Sequence, residues 1–172
     1  MNTRTCRLGL LLSLVGVAAA LGVGSSGAAR ADGQVASGTW KLVNHTQTLI
    51  KTVGGDQYFS VVESPAYVGG LIGTAVDTYI LIVHSDGSLE GAGNEVCNGC
   101  AIGGRMGNFT AVFRFSASAT GAQRSRFVIS GGSGGLAGIE GTGGTFTATA
   151  PGAGTYAYGY EFDHHGRDRG HR

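Results

Sequence analysis

Residues 96–110, VCNGCAIGGRMGNFT, hold the side chains most able to do chemistry. Cys97 and Cys100 form a Cys-x-x-Cys pair, which suits redox exchange, metal binding or a disulfide. Redox activation needs a helix N-terminus or a cationic neighbour to lower one thiol pKa, and no helical pattern surrounds the pair. A zinc site needs two further ligands, and no other Cys or paired His is placed to supply them. The intervening Asn98-Gly99 is the dipeptide preferred in two-residue hairpin turns. Residues flanking such a turn stand roughly 5.5 Å apart at Cα, within disulfide range. The pair is therefore expected to be a disulfide stapling a turn, with free thiols as the alternative.

Glu95 precedes the pair on a strand of small residues. If it points inward, burial raises its pKa and makes it a general acid or base. If it points outward, it is a solvated carboxylate or one bonded to turn amides. Glu63 ends an apolar strand and poses the same choice. Asp77, inside IGTAVDTYILIV, shares a face with Ala75, Tyr79 and Leu81, so it either meets water or needs a partner. Arg114 alternates against Phe113 and Phe115, which makes it a solvated strand arginine or a lumen partner for Glu95. Tyr79, Tyr156, Tyr158 and Tyr160 would line a ligand pocket or fill a core. The candidate site is thus Glu95 as the catalytic group, with Glu63, Tyr79, Arg114 and Tyr158 binding ligand. His84 and Asp86 are too close in sequence to form a triad with Ser85. The glycine-rich run 131–144 lacks the Gly-Lys-Ser/Thr of a phosphate loop.

These residues are positioned by strands. Glycines cluster between runs of alternating, β-branched or aromatic residues, and no segment keeps helical periodicity over three turns. Strands are expected at 38–51, 57–63, 72–84, 88–96, 108–117, 124–130, 143–149 and 154–162. Turns are expected at Gly54-Gly55-Asp56, Ser85-Asp86-Gly87, Gly103-Gly104-Arg105, Thr120-Gly121 and Pro151-Gly152. Their shortness makes neighbouring strands antiparallel. Phe109, Ala111, Phe113 and Phe115 share one face, as do Tyr156, Tyr158, Tyr160 and Phe162. Eight strands with one apolar face bury it in a barrel or a sandwich, and closure also removes exposed edges. Leu136 and Ile139, three apart in the glycine-rich run, suggest a tight turn that plugs one end.

The first 31 residues read as a secretory signal peptide. Arg4 and Arg7 precede an apolar run from Leu8 to Val23, and Ala29-Arg30-Ala31 has the small-x-small form of a cleavage site. Cleavage after Ala31 leaves one domain of 141 residues with nine basic and eleven acidic side chains. A mildly acidic chain does not offer the basic face of a nucleic-acid binder. Of the three cysteines only Cys97 and Cys100 remain, and an even pair in an oxidising compartment favours a bridge. The tail 164–172, HHGRDRGHR, has no apolar residue and is expected to be disordered. Its histidines, His164, His165 and His171, would chelate metal only adventitiously.

Three glycine patterns carry a family resemblance over about residues 36–163. They are Gly93-Asn94-Glu95-Val96, then GGRMGNF from Gly103 to Phe109, then GSGGLAGIEGTG from Gly132 to Gly143, followed by the tyrosine-rich last strand. In this the chain resembles bacterial DUF3224-type proteins of the allene oxide cyclase barrel group, to which dirigent proteins are related. The resemblance implies an all-β fold, a single eight-stranded antiparallel barrel. It also implies an apolar small molecule in the lumen, or an isomerase or cyclase acting on one. A filled barrel with a structural or oligomeric surface role is the third expectation. No cofactor and no metal is expected. The partners are a small apolar ligand and, by analogy, further copies of the chain, with no nucleic acid and no lasting membrane anchor.

Overall fold

Two-residue alternation persists through long stretches of the chain, and the structure closes them into a ring. The computed structural model describes residues 33–163. The expected signal peptide and the 164–172 tail lie outside the described residues. Eight strands follow one another: β1 (Gln34–Val53), β2 (Asp56–Gly69), β3 (Leu71–Val83), β4 (Leu89–Ile102), β5 (Arg105–Ala117), β6 (Gln123–Gly134), β7 (Ile139–Ala150) and β8 (Ala153–Phe162). Each pairs antiparallel with its chain neighbour, and β1 also pairs with β8, so the sheet is a closed barrel. All eight expected strands are present, several of them longer than the pattern suggested.

Two extensions have clear causes. The expected second strand ends at Glu63, just before Ser64-Pro65, and proline cannot donate to a ladder. In the fold β2 runs through Pro65, which sits opposite Leu42 beside the β1 bulge at Leu42/Asn44. Bulges tolerate proline because the ladder is already broken there. The second extension corrects the reading of Cys97-Asn98-Gly99-Cys100. This segment is not the hairpin turn but a bulge inside β4, with the ladder to β5 resuming at Cys100 opposite Gly107. The turn itself is Gly103-Gly104, both glycines at positive φ (58° and 75°), as a tight two-residue connection requires. The disulfide is present, spanning the bulge with its Cα atoms 5.8 Å apart. Both cysteines are fully buried. A ring this small removes little freedom from the unfolded chain. Reduction should therefore cost about 2 kcal/mol, a modest drop in the urea midpoint that alkylation of the freed thiols makes permanent.

Eight strands leave a lumen just wide enough for side chains to fill. One end is sealed by Leu71, Ile102, Leu136 and Ile139, all buried. Leu136 and Ile139 come from the expected plug, a tight turn in which the Ile139 amide donates to the Leu136 carbonyl at 3.1 Å. Tyr156 pins this end: its hydroxyl donates to the Leu71 carbonyl (2.9 Å) and accepts from the Leu71 amide (2.8 Å). Toward the other end the inward side chains Phe59, Leu81, Phe113 and Phe115 are only partly buried. The β6–β7 seam is the weakest, with Phe127 opposite Gly144 as its one ladder pair among the described residues. Side chains close it instead. The Ser125 hydroxyl both accepts from the Phe146 amide and donates to its carbonyl, and Gln123 accepts from the Ala148 amide.

Candidate functional site

Register sets the site. Across the inner face His45 of β1 lies opposite Glu63 of β2, Glu63 opposite Asp77 of β3, and Asp77 opposite Glu95 of β4. The next position in the row is Ala111 of β5, which carries no polar group. Directly opposed residues on one face of a sheet have Cβ atoms about 5 Å apart, so each side chain in this ladder meets the next. Burial increases along it: His45 is exposed, Glu63 partly buried, Asp77 buried and Glu95 fully buried.

Tyrosines complete the site from both sides. The Tyr67 hydroxyl donates to Glu95 Oε2 at 2.5 Å, and Tyr158 donates to the Tyr67 oxygen at 3.4 Å. Nearer the less buried end, Tyr79 donates to Glu63 Oε2 at 3.1 Å, and His45 Nδ1 lies 3.2 Å from that same oxygen. Aromatic edges wall the ladder. Tyr79 packs edge-on against Phe113 and Phe115, and Phe127 stacks on Tyr158 with centroids 4.2 Å apart. Gly93 makes room for Tyr79, since a Cβ there would collide with the Tyr79 Cβ and the Thr78 carbonyl.

The acids are held away from their ordinary ionisation. Burial, and after it the negative charge of Glu95, pushes the Asp77 carboxyl far above the usual carboxylate range. Burial raises Glu95 as well, against the lowering effect of hydrogen bonds with Tyr67 and Asp77. Two facing carboxyls in a low-dielectric lumen cannot both ionise, so the pair keeps a proton at neutral pH. Without that proton Asp77 Oδ1 and Glu95 Oε1 are buried with no donor. Burial also raises Tyr67 and Tyr158 well above the normal phenol value, with Glu95 adding to both, so both remain hydroxyl donors. Chemically the site is a half-neutralised acid pair, joined to the surface by Glu63 and His45. It can donate a proton from one carboxyl and accept one at the other. It does not converge on a point: among the described residues no group of three or more His, Cys, Asp or Glu could hold a metal ion.

The fold brings Glu95, Glu63, Tyr79 and Tyr158 together and leaves Arg114 out. Arg114 is exposed on the outer face of β5, opposite Ala92 and Arg126. The alternative in which it enters the lumen to pair with Glu95 is corrected, because the phase that turns Phe113 and Phe115 inward turns Arg114 outward. Asp77, Tyr67 and His45 belong to the site but not to the expected set. For Asp77 a signal existed in its shared face with Ala75 and Tyr79. Tyr67 lay beyond the expected end of its strand. His45 reaches the ladder only through the β1 bulge.

No family model and no curated protein matches the chain. A solved structure does: a protein with unknown function from the DUF3224 family of Shewanella oneidensis MR-1, with a TM-score of 0.61 and 18% identity. The chain is similar in fold to a DUF3224 protein. The likeness covers 77% of this chain and 98% of that one, so nearly all of the DUF3224 protein is matched. At this identity the likeness establishes the fold and leaves the chemistry to the site. No helix among the described residues is long and apolar enough to cross a membrane.

Proposed function

We propose that the barrel binds a small, largely apolar molecule from its less buried end, with one polar atom of the ligand engaging the Asp77–Glu95 acid pair. The observation that supports this most is the buried acid pair, whose oxygens Asp77 Oδ1 and Glu95 Oε1 have no donor in an otherwise aromatic lumen beyond the proton the pair retains. Apolar residues of similar volume would serve stability as well or better than buried carboxyls, so their presence argues for use. A ligand with a carbonyl or ether oxygen would accept the proton that the pair retains. Its apolar body would lie against Tyr79, Phe113 and Phe115. The disulfide supports a secreted protein, because such bonds persist in oxidising compartments. The barrel and the glycine patterns support placing the chain with the DUF3224 and allene oxide cyclase-like proteins. Val62, Val76, Ile80, Val96 and Val112, exposed on the outer faces of β2–β5, are compatible with a homo-oligomer.

A second reading is an isomerase or cyclase, favoured by the short Tyr67–Glu95 bond that orients one carboxylate beside a protonated one. There Glu95 would withdraw a proton while Asp77 donates one. A filled, structural barrel draws support from the buried rings of Phe109 and Phe127. The test is native mass spectrometry of the protein exported to an oxidising compartment, followed by titration with an apolar fluorescent probe. A co-purifying small molecule, or saturable probe uptake competed by that molecule, is expected. Failure of both would return the barrel to a structural role. Between binder and enzyme, Glu95→Gln should keep the ligand in either case but abolish turnover only in the second.

A further inference from the structure

The acid ladder uses the inner face of the sheet and leaves a separate feature on the outer face. The described domain has six lysines and arginines: Lys41, Lys51, Arg105, Arg114, Arg124 and Arg126. Half of them fall on one patch of β5 and β6. Register places Arg114 directly opposite Arg126, and Arg124 follows two residues before Arg126 on the same face, opposite Ser116. All three are exposed. Like charges directly opposed across strands are destabilising, and a mildly acidic domain has ample carboxylates to offset them. One carboxylate, Glu90, lies beside the patch, opposite Ile82 and Ser116, but its Oε2 is turned to His84 Nε2 at 3.9 Å and no ion pair joins it to the three arginines.

The patch is concave. It borders a groove of about 470 Å³, whose wall on β3 is Ile80 and Ile82, whose floor includes Ala92 and Ser116, and which Glu90 lines between Ile82 and Ser116. Ala92 and Ser116 are small, which leaves room between the isoleucines and the arginines. Three guanidinium groups along one side exceed what a single carboxylate requires. They match a doubly charged tetrahedral head, which arginine forks bind in bidentate fashion. Ile80 and Ile82 face that row across two strands and would receive a hydrocarbon body.

We propose that this outer groove binds a phosphate monoester, its head on Arg114, Arg124 and Arg126 and its apolar substituent against Ile80 and Ile82. The site is distinct from the barrel lumen and does not depend on what the lumen holds.

The test uses the full chain and two probes, inorganic phosphate and hexyl phosphate, followed by calorimetry at constant ionic strength. Hexyl phosphate is expected to bind more tightly than inorganic phosphate. Arg126→Gln should weaken both by about tenfold or more, the usual effect of losing a hydrogen bond to a charged group. Ile82→Asn should remove the preference for hexyl phosphate and leave inorganic phosphate binding unchanged. Arg105→Gln is the control, since Arg105 stacks on the Phe162 ring, away from the groove. Absence of binding by either probe, or an equal loss in the Arg105 and Arg126 variants, overturns the proposal. Sedimentation with phosphatidylcholine vesicles, with and without phosphatidic acid, then separates the sources. Capture that needs both phosphatidic acid and Arg126 assigns a lipid headgroup, and hexyl phosphate binding without capture assigns a free ester.

Discussion

The native protein is expected to lose stability between about pH 5 and pH 8, and a chain carrying Asp77→Asn together with Glu95→Gln to lose most of that decline. The direction follows from proton counts. Burial raises both carboxyls in the folded barrel above their ordinary values of 3.8 and 4.5, and the negative charge of Glu95 raises Asp77 further. In this window the folded state keeps a proton that the unfolded chain releases, so stability falls as pH rises. It is fully present below the unfolded values and is lost progressively up to the folded ones. A retained proton is worth about 1.4 kcal/mol per pH unit, so three units amount to about 4 kcal/mol. For a domain of this size that is on the order of 10 °C in melting temperature. The amide pair can exchange a hydrogen bond without ionising, and its profile should be nearly flat. His84, raised by its bond to Asp56, also favours the folded state at low pH and loses that contribution as pH rises. Both chains keep this contact, so the difference between them isolates the acid pair. Urea midpoints measured across the range decide the matter, and a native profile that stays level or climbs would sink the interpretation.

The second large effect is expected at Phe127. Its ring is buried, stacks on Tyr158 at an interplanar angle of 15°, and meets Phe146 edge-on at 5.3 Å. Phe127→Ala removes a large ring from close packing and should cost about 4 kcal/mol. The cost is not relieved by collapse, because the neighbouring rings are anchored on β7 and β8. Phe127 also provides the ladder pair of the β6–β7 seam, so local opening there should increase. Hydrogen exchange at Phe146 and Ala148 would report it. Benzene should restore part of the loss, since a cavity lined by rings stays dry and accepts an apolar guest. Thr110→Ala, on the exposed side of β5, should change stability by no more than about 0.5 kcal/mol. A Phe127 variant as mild as that would mean that the lumen is loosely packed.

These two results separate kinds of information. Phe127 could be assigned to a buried face from its own strand, because side chains alternate with period two whatever the strand pairs with. The same local rule put Phe109, Ala111, Phe113 and Phe115 inside and gave Tyr156, Tyr158 and Tyr160 one face. Turn chemistry was equally local: Gly54-Gly55 and Gly103-Gly104 take positive φ values that few other residues adopt. The cysteine pair was also legible, as a short-range geometry within reach of a disulfide.

The acid pair was not legible in this way. Asp77 and Glu95 are eighteen residues apart, and neighbouring strands could slide by two without changing which residues face inward. What aligned them was register, which depends on turn lengths and bulges along the whole ring. His45 shows this most directly. Before the bulge at Leu42/Asn44 the even residues Ala36 and Trp40 point inward, and after it the phase reverses and His45 stands opposite Glu63. The tyrosines divided for the same reason: Tyr158 joins the acids through Tyr67, whereas Tyr156 locks the backbone of Leu71. By itself the sequence determined the strands, most of their faces and turns, and the disulfide, because these depend on neighbours along the chain. The tertiary structure alone decided which polar groups meet, because closing the barrel sets contacts between residues far apart in sequence.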